Sequence, residues 1–242
     1  MSVRYNAARR GLTLIELVVV LLILVGLAGV VIPAVTNMVG RTHTSSGAAN
    51  ISQIANALQR FEVQYMSYPD NFDSLVTDLG AGTALNTLDG DLALDTVALS
   101  ADTFAALEEA GITTVGLHAI NDGTFEVPTP TLLADTNTLL GLTPAQQVEL
   151  GLETVGVAGK YICLGVGSSC TANGKTMMDA PVHFPESGEA NPATTYGRFL
   201  AVFQITDGTD ALERAKLAAV ISPHGAGLGD HIAEYFEISQ QD

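Results

Sequence analysis

The chain has 242 residues, 47% of them hydrophobic, which suits one moderate folded domain and excludes a disordered tail. Its 26 acidic residues outnumber 10 basic ones, for a net charge of −16. Arg4, Arg9 and Arg10 are the only charges in the N-terminal segment up to Gly11, so the remainder is more acidic still and would repel nucleic acid, whose binding needs clustered Lys and Arg.

Residues 17–35 contain no polar side chain. At ~1.5 Å per helical residue they cover about 29 Å, close to the ~30 Å hydrocarbon core of a bilayer, and they are apolar on every face. A transmembrane helix is expected; a buried core helix would need a larger surrounding domain. Three arginines precede the run and only Arg41 follows it closely, which places the N-terminus in the cytoplasm and the rest of the chain outside. Two export signals compete with this reading. A secretory signal ending near Ala28 and Gly29 would normally have a shorter apolar run, and a twin-arginine signal at Arg9-Arg10 would not normally carry Glu16.

Glu16 stands at the mouth of the apolar helix, where a carboxylate costs up to ~2.5–3.5 kcal/mol if drawn to the bilayer centre and therefore calls for a partner. Thr13-Leu14-Ile15-Glu16 fits a capping box, in which Thr and Glu satisfy free amides at a helix start. A free N-terminal amine is the other natural partner, and that of a neighbouring copy would set an axial register.

The stretch Gly11-Leu12-Thr13-Leu14-Ile15-Glu16-Leu17 resembles the class III signal of type IV pilins and of the pseudopilins of type II secretion. The resemblance covers roughly residues 9–68. It implies that a prepilin peptidase cuts after Gly11, that Leu12 becomes the N-methylated first residue, where the family usually has Phe or Met, and that Glu16 is the fifth mature residue and serves assembly. It also implies that Pro33 kinks the helix.

After Pro33 the pattern becomes amphipathic. Ile51, Ile54, Ala55, Leu58, Phe61 and Tyr65 recur at three- and four-residue steps on one helix face. Residues 40–49 are poor in strong helix formers and are expected to bend or loosen this stalk, and Tyr68-Pro69 disfavours helix at its far end. By the resemblance, the stripe is the surface on which the sheet of a head sits.

Beyond it, short helices are predicted at 70–79, at 101–110 after Ser100, and at 144–150, where Thr143, Pro144 and Gln146 supply cap, first-turn proline and capping-box partner. Strands are predicted at 113–120 and 124–127, joined by Asn121-Asp122-Gly123, and at 160–164, 198–206, 217–222 and 232–238. Residues 81–99 read as an insertion without a place. The expected fold is α+β and pilin-like: a long N-terminal helix, transmembrane and then amphipathic, packed on a head with an antiparallel sheet and short helices. The expected segments are a leader (1–11), a transmembrane helix (12–35), an amphipathic stalk (36–67) and an extracytoplasmic head (68–242).

Cys163 and Cys170, in CLGVGSSC, are open to a disulfide or to two free thiols, since spacing alone does not fix Cα geometry. No catalytic or cofactor-binding motif emerges. The GKT ending at Thr176 has Ser169 where a P-loop needs glycine. His224 and His231, in SPHGAGLGDH, read as a polar hairpin loop rather than a metal site. The pseudopilins that the chain resembles bind calcium in the head. Asp207-Gly208-Thr209-Asp210 and Asp230 offer oxygens, but the former equally makes a turn and no EF-hand spacing exists, so no ligands are assigned.

By the resemblance, the function expected is structural and not enzymatic: a pseudopilin of type II secretion, anchored in the inner membrane with its head outside, processed by the peptidase, and lifted by an inner-membrane assembly platform into a filament of copies of itself. A type IV pilus subunit for adhesion or uptake is the nearest alternative. A membrane-anchored or exported binding protein that never assembles is the alternative of a different class.

Overall fold

The computed structural model describes residues 13–118, 128–183 and 195–240. Its first element is one unbroken helix, α1 (Leu14–Tyr65). The helix runs through Pro33 and also through 40–49, where bending was expected; there Thr42 and Thr44 return their hydroxyls to the carbonyls of Met38 and Gly40, a side-chain bond compatible with a continuous helix. Met66 ends α1 in the left-handed region at φ 59, its N–H bonded to the Glu62 carbonyl.

The chain continues through β1 (Phe72–Asp73), β2 (Val76–Asp78), β3 (Thr83–Ala84), β4 (Leu94–Ala98), α2 (Ala101–Glu109), β5 (Thr114–Leu117), β6 (Thr129–Leu132), β7 (Thr138–Leu142), α3 (Pro144–Glu149), β8 (Tyr161–Gly165), β9 (Leu200–Thr206), β10 (Ala211–Ile221) and α4 (Leu228–Gln240). The principal sheet runs β10-β9-β8-β1-β5-β6, and β7 also joins β8 and carries β4. The fold is α+β, but the sheet is mixed rather than antiparallel, because β1 and β5 pair in parallel. The intervening chain, with α2 in it, is long enough for the crossover that a parallel pair needs.

Two predicted elements change type. The helix predicted at 70–79 is replaced by β1 and β2. Asn71 and Leu75 take left-handed φ values of 59 and 62, and the Asp70 carboxylate receives the N–H groups of Thr113 and Thr114 where it would have capped a local helix. The strand predicted at 232–238 lies instead in α4. Its β-branched and aromatic residues suggested a strand, but Asp230 Oδ2 accepts from the Gly227 N–H at 2.8 Å in the first turn, and His231 and Tyr235, four apart, turn to α1. The strand and turn predicted at 121–127 lie outside the described residues.

Residues 81–99 are part of the head, not an insertion. Leu85, Leu92, Val97 and Leu99 are buried in the core, and β4 pairs along its length with β7. Local caps behave as expected at α2, where Ser100 and Thr103 exchange side-chain bonds with each other's backbone N–H. At α3, Thr143 caps the Gln146 N–H, but the Gln146 amide turns to the backbone of Ala93 instead of completing a capping box.

The amphipathic half of α1 belongs to the core. Ile51, Ile54, Leu58 and Phe61 are buried together with Phe72, Phe199 and Phe203 of the head. Tyr65, expected to be buried with them, is half exposed. Its ring lies 4.5 Å from that of Phe61, and the Lys175 ammonium lies over both rings, so Tyr65 is covered by a cation in place of the core.

Candidate functional site

The predicted capping box opens α1. Thr13 is extended (φ −70, ψ 152), its hydroxyl accepts from the Glu16 N–H at 3.4 Å, and Glu16 Oε2 accepts from both the N–H and the hydroxyl of Thr13 at 2.8 Å. The Glu16 carboxylate therefore satisfies the helix start within its own chain. Gly11 and Leu12, the predicted processing residues, lie outside the described residues.

Every described side chain from Leu14 to Gly29 is exposed. Leu14, Ile15, Leu17, Leu22 and Val25 are each more than half exposed. Fully burying one such side chain is worth about 1.5–3 kcal/mol, so a dozen left in water forgo more than the ~5–15 kcal/mol net stability of an ordinary domain. Among the described residues no helix is long and apolar enough to cross a membrane; the side chains at 30, 33, 34, 36 and 37 are outside that description.

This apolar half is continuous with a half that the head grips. Besides the buried stripe, Arg214 reaches back to α1: one guanidinium nitrogen lies 3.1 Å from Glu62 and another donates to the Met66 carbonyl at 3.1 Å. The helix is thus a rod with its C-terminal half built into a domain and with the described side chains from Leu14 to Gly29 exposed.

A buried polar group that the sequence did not disclose braces the head. Tyr196 donates to Asp73 Oδ2 at 2.7 Å, and His118 Nε2 lies 3.5 Å from the same oxygen. All three residues are less than a tenth exposed. Burial and the neighbouring carboxylate hold the Tyr196 phenol far above its ordinary pKa, so it remains a neutral donor. The sequence signal was Asp73 with apolar Phe72, Leu75 and Val76 close by, and its partners are far away in the chain.

Cys163 and Cys170 are both free and buried. The Asn173-Gly174-Lys175-Thr176 segment forms turns, with the N–H groups of Lys175 and Thr176 on the Ala172 carbonyl, and Lys175 is directed to the aromatic pair of α1. Asp207 Oδ1 accepts the N–H groups of Thr209 and Asp210, which holds its carboxyl below the usual range and makes the turn. Asp230 is engaged at the start of α4. Among the described residues no group of three or more His, Cys, Asp or Glu side chains is placed to hold a metal ion.

His224 and His231 do not share a hairpin loop. His224 follows β10 in a turn, His231 is buried in α4, and both face His183. Two open grooves flank the stalk: one of about 510 Å³ between α1, β10 and the start of α4, and one of about 370 Å³ between α1 and residues 176–181. Comparison with protein-family models, with curated proteins and with solved structures finds no match to this chain.

Proposed function

We propose that the chain is a pilin-like filament subunit, in the manner of a pseudopilin of type II secretion, whose leader is removed after Gly11 by a prepilin peptidase. The observation that carries this reading is the division of α1: one half locked into the head by Ile51, Ile54, Leu58 and Phe61, and, among the described side chains from Leu14 to Gly29, only exposed apolar ones apart from Glu16. Lipid and the same half of neighbouring helices are the two surroundings that suit such a rod. In the inner membrane it anchors the head outside; lifted by an assembly platform, it packs against copies of itself.

Glu16 is the polar handle on that rod. In the single chain its carboxylate rests on Thr13. In the filament it turns to the N-methylated amine of Leu12 on an axially displaced neighbour, and the cost of leaving a buried acid unpaired selects one stagger over the others. The acidic head stands away from nucleic acid.

N-terminal sequencing and mass analysis of membrane-extracted protein test the reading: a methylated start at Leu12 is expected, and an intact leader or a start beyond Ala28 would overturn it. Glu16→Ala should insert and be cleaved normally yet fail to form filaments. Correct processing without filaments in the unaltered chain would leave a membrane-anchored binding protein as the better account.

A further inference from the structure

α4 lies antiparallel on α1. The His231 ring stands against Gly47, where a Cβ would be 3.0 to 3.3 Å from three of its ring atoms, and one turn later the Arg41 guanidinium lies 5.2 Å from the centre of the Tyr235 ring. As α4 advances from 231 to 235, its contacts on α1 therefore step back from 47 to 41. The C-terminal end of α4 points towards the apolar run at 17–35.

The helix rise fixes how close it comes. α1 is continuous between Val35 and Arg41, so the contact of Arg41 with Tyr235 stands about 9 Å beyond the end of the apolar run. α4 continues past Tyr235 to Gln240, which at the same rise carries its end about 7.5 Å nearer. When the apolar run spans a ~30 Å hydrocarbon core, the last turn of α4 falls in the headgroup layer, about 5–7 Å thick, that covers each side of it.

The side chains at this level suit that layer. Phe236 is 58% exposed, and its ring meets that of Tyr235 edge-on at 5.8 Å. Tyr235, partly buried, touches both Phe236 and the Arg41 guanidinium. An aromatic pair carrying a hydroxyl and a cation beside it settles at a membrane–water boundary, rings towards the hydrocarbon and polar tips among the phosphates. A single exposed ring is ordinary on a protein surface; what singles out Phe236 is its depth, on a helix held against the apolar one. Charge does not supply the attraction, since Glu234 and Glu237 on this part of α4 outnumber Arg41 among the described residues.

We propose that the C-terminal end of α4, with Tyr235 and Phe236, is an interfacial collar: it rests among zwitterionic phospholipid headgroups on the outer side of the membrane and fixes how deep α1 sits. The collar rests on the reading of α1 as a membrane span. It sets a stop for the helix, because drawing α1 further in would carry the Glu234 and Glu237 carboxylates into the hydrocarbon, and drawing it out would strip the two rings of lipid.

The chain has no tryptophan, so one fluorophore can be placed at will in the full chain, reconstituted in phosphatidylcholine vesicles that contain spin-labelled lipid. Phe236→Trp should lose more than half of its emission to a label near the glycerol and far less to one near the acyl ends, in low and in high salt alike. Val31→Trp, in the apolar run, should show the reverse order, and Val63→Trp, exposed near the far end of α1, should be quenched by neither. Tyr235→Trp occupies the same turn and keeps the test available if Phe236→Trp does not fold. Deep quenching of Val31→Trp with none at 235 or 236 overturns the collar and leaves the span; quenching at none of these positions removes the span and the collar with it. Loss of the shallow quenching in high salt overturns the collar in favour of electrostatic adsorption. Emission at 236 that lipid leaves unquenched and that shifts to the blue only at high protein-to-lipid ratio overturns it in favour of a second copy of the chain.

Discussion

Tyr196 donates its hydroxyl hydrogen to Oδ2 of Asp73 at 2.7 Å, across 123 residues of chain and with both side chains buried. The contact ties the end of β1 to the segment leading into β9. It requires Gly165, because a Cβ there would fall 1.8 Å from the Tyr196 oxygen. Tyr196→Phe keeps the ring and deletes the donor, leaving a buried carboxylate whose Oδ1 has no hydrogen-bond partner either. The head should lose about 1–3 kcal/mol in urea unfolding; an unaltered midpoint would mean that the bond is not a brace.

Gly47→Ala sets two effects against each other. Alanine favours the helix by about 1 kcal/mol, but its methyl group meets the His231 ring. Because that ring is enclosed, α4 should yield: amide hydrogen exchange should quicken in α4 and stay unchanged in the head sheet. Slower exchange in α4 would show that the ring moves aside at no cost.

Asp70 supplies a third test. Its Oδ1 accepts from the N–H groups of Thr113 and Thr114 at 3.0 and 2.8 Å, and its Oδ2 from the Thr113 hydroxyl at 2.9 Å. Asp70→Ala should destabilise the head by about 2–4 kcal/mol, as bonds to a charged acceptor are the stronger kind. Asp70→Asn, which retains an acceptor for the two N–H groups, should cost roughly half as much in the same denaturant titration.

The two thiols make a prediction about reactivity. Burial pushes Cys170 up to about 12 and Cys163 higher still. At pH 8 neither has an appreciable thiolate fraction, and the thiolate is the nucleophile. A disulfide-exchange reagent should titrate no thiol in the native protein and two after unfolding. Release of one equivalent from the folded chain would place a cysteine at the surface.

How far the fold was legible follows the range of the forces involved. The Thr13–Glu16 box, the Ser100 and Thr143 caps and the stripe Ile51, Ile54, Leu58, Phe61 were readable because each is decided within a turn or two of helix. Residues 70–79 were misread because Asp70 answers to Thr113 and Thr114, and 232–238 because α4 rests on α1; in both, distant partners outweigh local preference. Tyr65 kept its place in the stripe but lost its burial to Lys175, which no periodicity announces.

The sequence by itself determined an apolar run at 17–35, a lone acid, Glu16, just before it, and a core stripe from Ile51 to Phe61. These are properties of spacing along one chain segment. Tertiary structure alone decided that β1 and β5 pair in parallel, that residues 81–99 enter the core, that Asp73 meets Tyr196, and that His224 and His231 both face His183. Each of these joins segments tens of residues apart, and the free energy that selects them exists only once the burial of the core has brought those segments together.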